Sequence, residues 1–330
     1  MISCWEPIEL TQNVIQSLDI GKVFKDSQQD INSITFSDDC SLVITAAEDD
    51  SVNVYNVLRG TRDKLLYNKE YGVENVHFTH HNNAFLCSTK KGNEHLVKYW
   101  SSYDNRIIHN FRGHTDDITS IDMSPRNDLF ISTSKDKLLL LWDLRSRRAL
   151  ARLDYKEASA GGMCAFDPSG AIFAVAYPVV TQNVTKNYIK LIDASNYADG
   201  AFSTWEIECP EIKGIQFSED GQYLLAYTCE NMILLLDALD GQKKHIFKDF
   251  QNENGKVMAC FSPDSRYIIT GDEKNNSIVF FDVNTYEKVH ELRGHPKTPT
   301  CLAWSREHAL LVSGCQNLLF WVPDQSRIRQ

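Results

Sequence analysis

Between residues 118 and 153 the chain alternates apolar and polar positions in short runs, at 118–123, 129–134 and 138–141, with a fourth at 149–153. Alternation with period two puts successive side chains on opposite faces, so each run predicts a β-strand. The separators Ser124-Pro125-Arg126-Asn127-Asp128 and Lys135-Asp136-Lys137 hold residue types that favour tight turns, which makes the strands antiparallel neighbours. The unit recurs. Its first strand ends on Phe36, Phe78, Met123, Phe166, Phe217, Phe261 and Trp304, at intervals of 42, 45, 43, 51, 44 and 43 residues.

A four-stranded unit with this period is what one propeller blade requires. Gly113-His114 before the first strand and Trp142-Asp143 at the end of the third resemble the WD-repeat signature. The expected fold is therefore all-β: a single seven-bladed WD-repeat β-propeller over residues 1–330. Positions aligned with Trp142-Asp143 are Tyr55-Asn56, Trp100-Ser101, Ile192-Asp193, Leu236-Asp237, Phe281-Asp282 and Trp321-Val322, none of them a literal match. The seventh unit lacks a fourth strand, because the polar run 324–330 follows Trp321 closely. Phe111 and Leu292 stand twelve residues before their markers in outer strands, and the same offset from Phe36 gives Phe24. Residues 20–25 are thus expected to complete the last blade by pairing the two chain ends, which hides an aggregation-prone edge. The 51-residue interval predicts a long loop at 177–188 inside blade four and a second at 195–203.

Lys and Arg number 34 against 44 Asp and Glu, for a net charge of −10. Such a balance argues against binding nucleic-acid phosphates directly, so no sequence-specific nucleic-acid binding is expected. The longest apolar stretches, 138–142 and 171–177, fall short of the roughly 18–20 residues that span a bilayer, so no membrane association is expected. The first ten residues carry Glu6, Pro7 and Glu9 in place of a basic and apolar leader, which points to a chain that stays inside the cell. Nine dispersed cysteines, many in strand-like surroundings such as Cys164, Cys260 and Cys301, are expected to be buried free thiols.

Ser132, His114 and Asp136 could suggest a nucleophilic triad. Their places in the repeat, with Trp142, instead predict a hydrogen-bond tetrad buried within one blade, and no Gly-x-Ser-x-Gly elbow is present. Blade one offers Thr45, Asp49 and Tyr55 with Ser27 for the histidine; blade seven offers His295, Ser313, Asn317 and Trp321. His77, His80 and His81 lack paired Cys/His spacing and are expected in a solvated turn instead of a zinc site. No phosphate-cradling glycine motif occurs, so no catalytic, cofactor or metal residues are assigned and no enzyme is expected. Asn183-Val184-Thr185 matches a glycosylation sequon but is expected to be only a loop. Trp142-Asp143-Leu144-Arg145 fits the WDxR box of propellers that dock on a cullin adaptor, so a ubiquitin-ligase substrate receptor is the alternative reading.

Partner contacts are expected on the rim where first strands begin, near Asp30, Asp117 and Glu211, with Glu48, Lys135 and Glu273 from the neighbouring turns. This rim is expected to be mainly acidic over blades one and three, with Lys135 a local exception, and to receive a basic or mixed-charge peptide.

The chain also carries Glu48-Asp49-Asp50-Ser51-Val52 and Phe166-Asp167-Pro168, with Lys69-Glu70-Tyr71-Gly72-Val73 and the ending Gln316-Asn317-Leu318-Leu319-Phe320-Trp321-Val322-Pro323, two segments that the common repeat does not require. With others they resemble the small propeller-subunit family of the COMPASS histone methyltransferase, the Swd-two type of fungi and WD-repeat protein eighty-two type of animals. The resemblance implies a nuclear, non-catalytic scaffold whose partners are a SET-domain histone methyltransferase and other COMPASS subunits. In fungi it further implies the cleavage-and-polyadenylation factor with its associated phosphatase, and a link to transcription termination. It leaves open whether the chain contacts the RNA polymerase II tail. The loops within 177–203 fit the family least well.

Overall fold

A computed structural model of the chain describes residues 10–182, 184–253, 255 and 257–328. Seven four-stranded antiparallel sheets stand in a ring, each strand pairing with the next from the central channel outward. Blade three has strands Ile118–Met123, Leu129–Ser134, Leu138–Asp143 and Ala151–Asp154. All seven marker residues end the first strands of their blades. Second and third strands are buried on both faces, whereas the fourth strand Arg106–Arg112 of blade two buries only Phe111. The core consequently lies between blades. Phe111 packs on Phe130 and Trp142 across the junction of blades two and three, at centroid separations of 4.8 and 5.4 Å.

The ring closes where strand Leu18–Phe24 pairs antiparallel with Leu318–Pro323, from Leu18 opposite Pro323 to Phe24 opposite Leu318. The closing strand begins two residues earlier and ends one earlier than the expected 20–25 segment. A helix over Gln12–Gln16, capped by the Thr11 hydroxyl, precedes it and buries Val14 and Ile15 against Leu292 and Trp304. Its five residues are too few for amphipathic periodicity to stand out in sequence.

Blade four corrects the expected loop at 177–188. These residues extend strands Ile172–Thr181 and Val184–Asp193 into one long hairpin, paired through to Thr181 opposite Val184. Polar Thr181, Gln182 and Lys186 masked the strand signal, but Val179, Val180, Val184 and Thr185 are β-branched and suit a pleated ladder. Pro178 is tolerated because the first strand pairs only as far as Ala176, and the Pro178 carbonyl instead accepts the Ser159 N–H at 2.8 Å. The expected 195–203 loop contains a short 3-10 turn, Tyr197–Asp199, and the start of strand Ala201–Glu208. Asn183 of the sequon lies outside the described residues, as do residues 1–9.

The Lys69-to-Val73 segment has a conformational reason. Gly72 has a φ of 65°, a left-handed value that side chains disfavour, and its N–H donates to the Asn68 carbonyl at 2.7 Å. The turn presents the Tyr71 ring 3.8 Å from the ammonium of the buried Lys98, whose proton affinity is lowered by burial. The Tyr71 carbonyl accepts the N–H groups of Lys90 and Lys91. Among the described residues no helix is long and apolar enough to cross a membrane.

Candidate partner-binding faces

Blade three brings His114, Ser132, Asp136 and Trp142 into one chain of hydrogen bonds. His114 Nδ1 lies 3.0 Å from Asp136 Oδ2, His114 Nε2 lies 2.8 Å from Ser132 Oγ, and Trp142 Nε1 donates to Ser132 Oγ at 2.9 Å. With Nδ1–H donating to Asp136, Nε2 accepts the Ser132 hydroxyl. Burial alone would raise the Asp136 carboxyl, yet bonds from His114 and from the Thr115 and Leu138 N–H groups hold it below the usual range. Ser132 and Trp142 are wholly buried, so a substrate has no route to this hydroxyl.

In blade seven His295 Nε2 and Trp321 Nε1 meet Ser313 Oγ at 2.6 and 2.7 Å. The fourth member is Cys315, 3.2 Å from His295 Nδ1, and Asn317 is displaced from the place expected of it. Asn317 instead closes the tight turn through its backbone N–H to the Cys315 sulfur. In blade one Asp49 caps the Gln28 N–H at 2.8 Å and the Ser51 N–H at 3.1 Å, whereas the Ser27 hydroxyl meets no partner among the described residues.

The histidines expected in a solvated turn divide. His77 lies on the first strand of blade two, Val76–Phe78, with Nε2 3.3 Å from Asp122 of blade three. His80 sits in the turn but bridges blades, with Nδ1 2.6 Å from Asp38 and Nε2 3.0 Å from the Asn127 carbonyl. Only His81 is exposed. Seven of the described cysteines are buried and Cys229 is half-buried; burial pushes the thiols of Cys87, Cys164 and Cys260 up to about 12.

Asp30, Glu48, Asp117 and Lys135 do surround one mouth of the central channel; Glu211 and Glu273 stand outside its lining. The mouth is mixed in charge instead of mainly acidic. Asp30 pairs with Lys297 at 3.2 Å, Glu48 with Lys90 at 3.7 Å, Asp117 with Lys135 at 2.9 Å and Glu211 with Lys213 at 2.9 Å. Glu273 accepts the Glu253 N–H at 2.9 Å. Hydrogen bonding to Lys135 lowers the Asp117 carboxyl against the effect of burial, and the same bond raises Lys135. Half-buried Glu74, from the same mouth, is raised by burial, with Lys90 opposing and Asp117 reinforcing. The Asp30–Lys297 contact joins residues at opposite ends of the chain, so only the closed ring reveals it. His95, Asp116 and Asp117 cluster here, but Lys135 already occupies one Asp117 oxygen.

On the opposite face, Arg145 of the WDxR box donates to Asp143 from Nε at 2.9 Å and Nη2 at 2.7 Å. The same guanidinium lies 3.7 Å from Asp128.

Segments 19–56, 105–143, 242–282 and 286–319 match the family described as WD domain, G-beta repeat. WD repeat-containing protein 82 of Drosophila melanogaster is 34% identical over 322 residues, covering 96% of this chain and 98% of that protein. Set1 complex component swd2 of Schizosaccharomyces pombe is 31% identical over 343 residues, covering 96% and 93%. COMPASS component SWD2 of Saccharomyces cerevisiae is 24% identical over 326 residues, covering 92% and 95%. The seven closed blades and this near end-to-end likeness together show that the chain belongs to the WD-repeat family of WD repeat-containing protein 82 and the Set1 complex component swd2.

Proposed function

We propose that this chain is a non-catalytic scaffold subunit of a Set1/COMPASS-type assembly, where a SET-domain partner carries histone lysine methylation. The observation that carries this reading is the likeness along 96% of the chain to a Set1 complex component. The geometry is in keeping with a scaffold: Ser132, His114 and Asp136 are turned inward, and the ionic groups sit on two exposed faces. Nuclear residence follows from such an assembly. Membership of a cleavage-and-polyadenylation factor with its phosphatase, a part in transcription termination and contact with the RNA polymerase II tail belong to the same proposal at a finer level.

Within it, the mouth formed by Asp30, Glu48, Asp117 and Lys135, flanked by Glu211 and Glu273, receives a mixed-charge peptide. Such a peptide exchanges its own charges with the acid–lysine pairs, whose surface ion pairs are individually worth about 0–1 kcal/mol. Changing Asp30, Glu48 and Asp117 together to Lys should weaken that contact while the melting temperature stays nearly constant. A ubiquitin-ligase receptor is the weaker reading, because the near end-to-end likeness is to a Set1 complex component.

Affinity purification of the tagged chain from nuclear extract tests the reading. Recovery of a SET-domain subunit, or of polyadenylation subunits, is expected; a cullin adaptor in their place would overturn it.

A further inference from the structure

Blade three carries a basic corner on the face opposite the acid–lysine mouth. Its turn at 124–128 and its turn at 144–150 lie side by side, joined by the Leu144 N–H donating to the Asp128 carbonyl at 3.0 Å. These two turns carry four exposed arginines: Arg126, whose stem lies beside Gly170 of blade four, and Arg145, Arg147 and Arg148. The two carboxylates within the corner, Asp128 and Asp143, are both taken by Arg145. Asp167 of the adjoining turn in blade four is engaged by Ser169 and the Ile172 N–H. Arg126, Arg147 and Arg148 therefore have no ion pair among the described residues, in a chain whose net charge is −10. The channel mouth differs, because Asp30, Glu48 and Asp117 each meet a lysine there. Leu150, 42% exposed, ends the second turn and adds an exposed apolar side chain to it.

We propose that this corner docks an acidic peptide segment of a partner protein, its carboxylates pairing with Arg126, Arg147 and Arg148 and an apolar side chain resting on Leu150. Planar guanidinium groups recognise carboxylates by two parallel hydrogen bonds, and Arg145 with Asp143 already displays that pairing within the corner. A peptide fits better than a nucleic acid. The cations are confined to two adjacent turns, whereas a polyphosphate strand needs a longer basic track to release its counterions. This inference goes beyond membership of any one complex and does not depend on the identity of the SET-domain partner.

The test uses the full chain and a fluorescein-labelled peptide rich in Asp and Glu with two leucines, followed by anisotropy at low and raised salt. Binding should weaken with salt. The double variant Arg147→Glu, Arg148→Glu should lose affinity by about tenfold or more, and Arg147→Ala, Arg148→Ala by less. Arg59→Glu, a single charge reversal on the corresponding turn of blade one, should leave affinity unchanged. Because all these side chains are exposed, equal melting temperatures establish that each variant is folded. Undiminished binding by the double variant, absence of binding by the unaltered chain at low salt, or tighter binding of a single-stranded RNA of matched length would each overturn the proposal.

Discussion

His295 Nδ1 faces the Cys315 thiol at 3.2 Å, in the position where His114 Nδ1 faces the Asp136 carboxylate at 3.0 Å. A thiol cannot offset the charge of an imidazolium, so burial lowers the His295 pKa to about 4. The unfolded chain, with an ordinary histidine value of about 6.5, binds this proton more readily than the folded one. The contribution is therefore intact above about 6.5 and is lost as pH falls from there towards 4. Proton NMR should find His295 titrating near 4, and Cys315→Asp should raise that value and flatten the acid loss of melting temperature. Titration near 6.5 in the unaltered chain would contradict this assignment.

His77 and His80 have the opposite sign. Each imidazole meets an acceptor at both ring nitrogens: Asp122 and the Phe78 carbonyl for His77, Asp38 and the Asn127 carbonyl for His80. Burial works most strongly against the charged ring in both, but the carboxylate bond, the carbonyl bond and the carboxylate charge together outweigh it and raise both values. Their stabilisation is complete below about 6.5 and is lost as pH rises through the raised folded values. Denaturant midpoints measured across this range should fall with rising pH, and the double variant Asp38→Asn, Asp122→Asn should abolish that part of the slope. A slope unchanged in the variant would exclude these two rings as its source.

Replacing His114 by Ala leaves Ser132 and Asp136 buried without their shared partner. The expected cost is about 1–3 kcal/mol in equilibrium unfolding, from stranded polar groups. A serine-directed fluorophosphonate should leave Ser132 unlabelled before and after the change. Labelling at Ser132 would refute its enclosure.

The ring was legible in the sequence because Phe36, Phe78, Met123, Phe166, Phe217, Phe261 and Trp304 each end a strand with apolar alternation and a following turn, all local signals. What was illegible depended on distance or on weak local patterning. Lys297 meets Asp30, and Lys90 meets Glu48, only after blades assemble, so the mixed charge of the mouth could not be read from strand starts alone. Cys315 took the place assigned to Asn317 because the hairpin between the second and third strands is two residues shorter than in blade three, which moves the fourth member of the network. The blade-four hairpin hid behind its polar positions, since a ladder needs only β-branched residues at intervals and a partner strand.

Phe24 joins the closing strand to its neighbours, with its ring 4.6 Å from Tyr55 and 5.1 Å from Phe320. Phe24→Ala should destabilise the ring by about 3–5 kcal/mol. Removing residues 1–24 should expose the edge of strand Leu318–Pro323 and cause aggregation, read by light scattering. A truncated chain that stays monomeric with an unchanged melting temperature would contradict closure by this strand.

The scaffold account is tested most directly by mixing the purified chain with the purified non-catalytic region of a Set1-type SET-domain protein and measuring binding by calorimetry. The account predicts a one-to-one complex that forms without S-adenosylmethionine and weakens when Asp30, Glu48 and Asp117 are changed to Lys. Absence of any complex between the folded components would contradict it.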